Sequence, residues 1–234
     1  MKAQPRRAAT LSRHGLGAFT LTDLLVTVAV VAMLAAFVVA RITLSNQKSK
    51  LARCTSNLQQ VGTAIQKYAE ASSQTLPSAV PGQNPNVWWF YKELVKSYAG
   101  LTAPSSSNDT LFACPSDRGY SDRWPFSQSP KCDYGSYVFN GVTLPGAPNI
   151  AGLPLSTVKQ PRRTLLVMEW TAHAPLSWQR SKTGLKNAPF YSDAQSVTTF
   201  VDGHVGLTKI YYDGYNAAYT QDPIPGYEYQ YSPN

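Results

Sequence analysis

The chain has 234 residues, of which 43% are hydrophobic and 15% are charged, and its formal net charge is +8. This length accommodates one long helix and one globular domain with its own core. Four basic residues lie in the first 18 positions and the others are dispersed, apart from a cluster after the apolar run at Arg41, Lys48, Lys50 and Arg53. This distribution argues against nucleic-acid binding as a primary role, and the low charge favours a loop-rich extracytoplasmic domain.

A basic leader precedes an uninterrupted apolar run near the amino terminus. Seventeen residues, from Leu24 to Ala40, carry no charge, which is close to the shortest segment that spans a bilayer, roughly 17–25 residues. Asp23 stands just inside the start of this run. A carboxylate at the edge of a membrane segment is costly and is interpreted as functional, with a partner to be identified.

The apolar pattern continues beyond the run with helical spacing. No proline occurs between Arg6 and Pro77, so nothing obliges a helix to break before residue 77. We predict one helix over about 20–71, apolar on all sides in its first half and amphipathic in its second. The face expected to pack on a sheet carries Leu51, Cys54, Leu58, Val61, Ile65 and Tyr68.

The remainder of the chain predicts short elements joined by loops. A two-residue Asp-Gly loop between β-rich segments is a strong hairpin signal, and Asp202-Gly203 has that context. The expected elements are a loop at 74–85, a short aromatic helix at 86–99, strands and turns within 111–153, a strand at 164–170, and a hairpin of 197–201 with 204–211.

The amino-terminal segment resembles the processing signal of type IV prepilins and type II secretion pseudopilins, Phe-Thr-Leu-x-Glu-Leu-Leu. The match here runs from Phe19 to Leu25, with Asp23 in place of the glutamate. The resemblance implies cleavage by a prepilin peptidase between Ala18 and Phe19, followed by methylation of the new amine. Because that family usually has glycine before the cut, cleavage between Gly17 and Ala18 is the alternative.

The globular part resembles the H-x9-DG domain of pilin-like proteins. The matching segments are Cys-x-x-Asn-Leu-x-Gln from Cys54, Phe-x-Cys-Pro-Ser-Asp from Phe112, Ser-Tyr-x-x-Asn from Ser136, and Asp-Gly at 202–203. The histidine that gives the domain its name is missing, because Ser192 occupies its position. No role of that histidine is therefore transferred to this chain.

Together the resemblances imply an α+β, pilin-like fold: a long amino-terminal helix packed on a roughly four-stranded antiparallel sheet with loop insertions. The expected segments are a leader at 1–18, a transmembrane and assembly half-helix at 19–44, an amphipathic half-helix at 45–72, and a globular domain at 73–234. The implied role is a structural subunit of a type IV pilus or a type II secretion pseudopilus. We expect no enzymatic activity, no cofactor and no bound metal.

The resemblance also implies partners and a location. The precursor would be a single-pass inner-membrane protein with a cytoplasmic amino terminus, and the mature form would join a homo- or hetero-oligomeric filament in the periplasm or at the cell surface. Its partners would be the prepilin peptidase and the inner-membrane assembly platform. In such a filament, Asp23 would pair with the amine of residue 19 on a neighbouring subunit.

Three cysteines allow one disulfide. We predict a bridge between Cys114 and Cys132, because both lie in the same loop-rich segment of an exported domain. Cys54, on the helix stripe, is expected to be a small buried apolar residue. The alternative is three unpaired thiols.

Other chemical candidates have simpler explanations. His173 and His204 lack a recognised catalytic arrangement, and the acids Asp109, Asp117, Asp122 and Asp133 lack the density of a calcium loop. The aromatic residues 88–91 are expected to pack a short helix onto the domain rather than to form an exposed ligand-binding surface.

Two alternative functions remain open at this stage. One is an exported binding domain, for example for polysaccharide, held by an uncleaved signal anchor. The other is a secreted enzyme released by signal peptidase after Ala40, where Val38 and Ala40 are the small residues before the cut.

Overall fold

The computed structural model describes residues 20–79, 88–119, 124–142, 146–172, 177–179, 194–211 and 222–234. The chain divides into two units, Met1–Asn46 and Gln47–Asn234. The fold is α+β, as predicted. Its principal elements are α1 (Leu21–Ala71), α2 (Tyr91–Val95), β1 (Tyr137–Phe139), β2 (Leu165–Glu169), β3 (Ala194–Phe200) and β4 (Val205–Ile210).

Helix α1 confirms the predicted single helix. Its second half buries one face, and the buried apolar residues recur at intervals of three and four, as on one side of a helix. They are Cys54, Leu58, Val61, Ala64, Ile65 and Ala69. The helix ends at Ala71 because Ser73 and Gln74 adopt left-handed backbone conformations, and the Gln74 N–H turns back to the Ala69 carbonyl at 2.7 Å.

The four strands form one antiparallel sheet in the order β1-β2-β3-β4. Every residue of β2 is buried. Since successive side chains of a strand point to opposite faces, β2 must be covered on both sides. Strand β4 lies at one end of the order, and all but its last residue, Ile210, are partly or fully exposed.

The second half of α1 packs directly on β3. Gly62 allows this approach, because a Cβ atom at that position would lie 2.7 Å from Cγ2 of Thr199. The Thr199 hydroxyl donates a hydrogen bond of 3.3 Å to the Leu58 carbonyl. At this point the helix backbone therefore meets the sheet without a large side chain between them.

The β3–β4 connection differs from the prediction. Four residues, 201–204, separate the strands, so the predicted two-residue Asp-Gly loop is wrong. The Gly203 N–H donates to the Phe200 carbonyl at 2.9 Å, and Phe200 N–H donates to the His204 carbonyl at 3.0 Å. Gly203 is in the left-handed region, with φ of 91°, and this residue alone supplies the positive φ of the turn.

The predicted aromatic helix is shorter than expected. Helix α2 is followed by a 3-10 turn at Lys96–Ala99, which ends at Gly100 with φ of 80°. The rings of Trp89, Phe90 and Tyr91 are buried. Phe90 and Tyr91 both pack on Phe139 of β1, with ring centroids 5.9 and 5.8 Å apart, so the aromatic cluster packs into the core, as the sequence favoured.

Candidate functional site

The first half of α1 is an exposed apolar surface. Among the described residues, this helix is the one long and apolar enough to cross a membrane. Its large hydrophobic side chains are all at least half exposed, from Leu21 to Leu44. Exposed apolar area on this scale is typical of surfaces that contact lipid or protein.

The amino-terminal end of α1 is capped by reciprocal hydrogen bonds between Thr20 and Asp23. The Asp23 carboxylate accepts hydrogen bonds from the Thr20 backbone N–H at 3.1 Å and from the Thr20 hydroxyl at 2.7 Å. The Asp23 N–H in turn lies 3.2 Å from the Thr20 hydroxyl oxygen. This arrangement is a capping box with aspartate in the place of glutamate. Ala18, Phe19 and Gly17, and with them both predicted cleavage points, lie outside the described residues.

Two threonines bring further polar groups into the apolar helix. The Thr27 hydroxyl donates to the Asp23 carbonyl at 2.8 Å, and the Thr43 hydroxyl donates to the Val39 carbonyl at 3.0 Å. Both hydroxyls are therefore satisfied within the helix, which lowers the cost of placing them in an apolar environment. The basic residues that follow the uncharged run, Arg41, Lys48, Lys50 and Arg53, are exposed.

The disulfide joins Cys54 to Cys114, with an S–S distance of 2.08 Å. The predicted bridge between Cys114 and Cys132 is therefore wrong, and Cys132 is a buried thiol. Sequence proximity favoured the wrong partner, because the fold brings the loop at Cys114 onto α1 across a separation of 60 residues. Burial raises the pKa of the Cys132 thiol to about 11, so this thiol stays protonated and poorly reactive.

The same loop is fastened to α1 by Asn57. Its side-chain amide donates to the carbonyls of Thr110 and Ala113, both at 2.9 Å. Cys54 and Asn57 lie one turn apart, and both belong to the Cys-x-x-Asn segment that carried the resemblance in this region. In this structure that segment fastens the second half of α1 to the loop around Cys114.

Asp117 organises the segment that follows the disulfide. Its carboxylate accepts hydrogen bonds from the backbone N–H groups of Gly119, Phe126 and Ser127 and from the Ser136 hydroxyl, at distances of 2.7 to 3.1 Å. A carboxylate with four donors is already saturated. Asp117 is therefore a structural residue of this loop.

A second acid considered for calcium, Asp109, pairs with a buried lysine. Lys92 of α2 is fully buried, and its ammonium lies 2.9 Å from the Asp109 carboxylate. It also donates to the Asp133 carbonyl and lies 5.1 Å from the centre of the Phe112 ring. The pKa of the Asp133 carboxyl is raised, chiefly by burial. Asp122 lies outside the described residues.

Glu169, the last residue of β2, is an acid within the buried part of the sheet. Its side chain is fully buried, and burial raises its pKa to about 8. The Val197 N–H donates to Oε2 at 2.9 Å, and the Gln179 amide donates to Oε1 at 2.5 Å. Cys114 Sγ lies 3.2 Å from Oε1. Sequence patterns did not predict this buried acid. The signal that could have found it is an acid at the end of a strongly apolar strand.

His204 does not resemble a catalytic base. Its ring stacks on Phe200 with centroids 4.2 Å apart, and its Nδ1 lies 2.6 Å from the Asp202 carboxylate. These contacts hold the ring against the hairpin surface. His173 lies outside the described residues.

A groove opens beside the β3–β4 hairpin. Its volume is about 940 Å³, and its walls combine basic, aromatic and polar side chains, including Arg162, Lys209, Phe200, Tyr227 and Glu228. Lys209 lies over the Tyr227 ring at 5.3 Å. The groove is open and of mixed charge, so its shape alone does not define a ligand.

Comparison of this chain with protein-family models, curated proteins and solved structures finds no match.

Proposed function

We propose that this chain is a pilin-like or pseudopilin subunit, stored in the inner membrane as a precursor and built into a filament through the first half of α1. The observation that supports the proposal best is the combination of an exposed apolar half-helix with a second half that packs on a four-stranded sheet. Such a helix needs lipid before assembly and the helices of other subunits afterwards.

Under this proposal, the capping box holds the Asp23 side chain before the subunit assembles. In the isolated subunit, its carboxylate is satisfied by Thr20. Cleavage before Phe19 would leave Thr20 as the second residue, so the box would survive processing. During assembly, the amine of a neighbouring Phe19 would become the cationic partner of Asp23, since a carboxylate among apolar helices needs such a partner or a proton.

The continuity of α1 bears on the alternatives. Ala40 lies inside the helix, with further helical residues on both sides, which disfavours a secreted enzyme released by a cut at that position. The groove beside the hairpin is the feature that an exported polysaccharide-binding domain would use. That alternative requires an uncleaved anchor, whereas the filament proposal requires removal of the leader.

The proposal is tested by the yield of sheared surface fibres from cells that express the chain with its peptidase and assembly platform. Asp23→Ala should leave the leader cleaved and reduce the fibre yield. Asp23→Glu, which restores the acid usual in pilins, should keep the yield. Normal yield from Asp23→Ala, or absence of this chain from fibres of the unaltered strain, would contradict the proposal.

A further inference from the structure

The Glu169 carboxyl lies against the disulfide, and this contact is separate from the hydrogen bonds that Val197 and Gln179 donate to it. A disulfide sulfur carries no hydrogen, so a hydrogen bond across the 3.2 Å between Cys114 Sγ and Glu169 Oε1 needs a proton on the carboxyl. In the part of the chain that the structure describes, no lysine or arginine forms an ion pair with this carboxyl. A fully buried acid without a cation is costly.

The two cysteines and Glu169 form a compact set of ligand atoms. The two Sγ atoms and a carboxylate oxygen all lie within 4.8 Å of one another, and all three residues are buried. They come from three separate parts of the fold, namely α1, the loop before β1, and the end of β2. Ligands held by distinct, packed elements are positioned before a metal arrives.

We propose that reduction of the Cys54–Cys114 disulfide converts this cluster into a binding site for a thiophilic divalent cation of the Zn²⁺ type. Two thiolates and one carboxylate are common zinc ligands, and a tetrahedral site needs one more donor. Gln179 is placed to supply it, because its side-chain amide nitrogen lies 3.6 Å from Cys114 Sγ and 2.5 Å from Glu169 Oε1. Rotation of this amide would present its oxygen to the metal, and a water molecule is the other candidate.

The chemistry balances with a dithiol as the reductant. The dithiol gives two electrons and two protons to the disulfide, becomes a cyclic disulfide itself, and leaves thiols at Cys54 and Cys114. One divalent cation then displaces both thiol protons and the carboxyl proton, so that the loaded cluster carries one net negative charge. The Val197 N–H, which already donates to the carboxylate at 2.9 Å, remains to stabilise that charge.

The consequence is that the link between the second half of α1 and the Cys114 loop would exist in two chemical forms. The oxidised chain would hold α1 to the Cys114 loop by a covalent bond, and the reduced chain would hold both to β2 by coordination. The site does not depend on filament assembly and is tested separately from it.

The test is a Cd²⁺ titration of the full-length chain in detergent, followed by the ultraviolet absorbance of the cadmium–thiolate bond. The protein is reduced with dithiothreitol and then desalted without air. We expect the reduced chain to bind one Cd²⁺ per molecule and the oxidised chain to give no signal. Absence of the absorbance in the reduced chain overturns the proposal.

Variants identify the ligands. Cys54→Ser should abolish the absorbance, and Glu169→Gln should weaken Cd²⁺ binding by at least about tenfold. Cys132→Ser is the matched control, because it removes a buried thiol outside the cluster, and it should bind as the parent does. Unchanged affinity in Glu169→Gln, or loss of binding in Cys132→Ser, refutes the three-ligand site even if Cys54→Ser fails to fold.

Discussion

Gly62 of α1 and Thr199 of β3 are packed so closely that no side chain fits between them: a Cβ atom at Gly62 would lie 2.7 Å from Thr199 Cγ2. This contact sets how near the second half of α1 comes to the sheet. It lies along the same buried face as Leu58 and Ile65. The packing of helix on sheet is therefore sensitive to a single methyl group at this position.

Gly62→Ala should lower the free energy of unfolding by about 1–3 kcal/mol, because the added methyl group overpacks a close contact. The measurement is urea denaturation of the mature chain in detergent, followed by tryptophan fluorescence. Adding Thr199→Ser should recover part of the loss, since serine lacks the clashing Cγ2 atom but retains the hydroxyl that bonds to Leu58. A double variant no more stable than Gly62→Ala alone would show that this contact is not the cause.

The disulfide should account for much of the stability of the globular unit. Replacing both Cys54 and Cys114 by serine should cost about 4 kcal/mol, as expected for a bridge with a sequence separation of 60 residues. Thiol titration of the denatured, unreduced chain should find one thiol, which peptide mapping should locate at Cys132. Three thiols, or a linked peptide containing Cys132, would disagree with this structure.

Stability should also depend on pH through Glu169. Its pKa is raised from 4.5 to about 8 in the folded chain, so the folded state holds a proton that the unfolded state loses above about pH 4.5. The free energy of unfolding should therefore fall as pH rises between these values, by up to about 1.4 kcal/mol per pH unit from this group. The measurement is the free energy of unfolding against pH for the parent and for Glu169→Gln. If Glu169 is responsible, the slope should be smaller in Glu169→Gln than in the parent. Equal slopes would show that another group is responsible.

Asp117 should behave as a structural acid. Asp117→Asn keeps its size but replaces one acceptor oxygen with a donor that faces backbone N–H groups, so we expect a loss of about 2–4 kcal/mol. Thermal unfolding monitored by circular dichroism measures the effect. In the parent chain, calcium or a chelator should leave the unfolding midpoint unchanged, because protein donors already occupy this carboxylate. A calcium-dependent midpoint that Asp117→Asn removes would reverse this assignment.

Local patterns predicted the long helix and the strand at β2 well, whereas the four-stranded α+β architecture was an expectation from the family resemblance. The periodicity of α1 and the apolar run Leu165–Met168 each depend on residues near one another in sequence. The hairpin was placed correctly, but its loop length was not. Strand β3 ends at Phe200 and β4 begins at Val205, because the Phe200 N–H donates to the His204 carbonyl across a longer turn.

The candidate site was harder to predict, because its members meet only in three dimensions. Cys54 and Cys114 are brought together by the docking of α1, and no spacing rule connects them. Glu169 is only one acid in a chain with 13 acidic residues, and its importance follows from burial against a sulfur atom. The burial of Lys92 was not predicted either, since lysines are seldom fully buried.

The proposed use of the apolar half of α1, first as a membrane segment and then as the core of a filament, requires removal of the leader. Intact-mass and amino-terminal analysis of the chain recovered from membranes and from sheared fibres tests it most directly. We expect the fibre form to begin at Phe19 with a methylated amine, or at Ala18 if the neighbouring bond is cut. A mature chain that retains residues 1–18, or one that begins after Ala40, would contradict it.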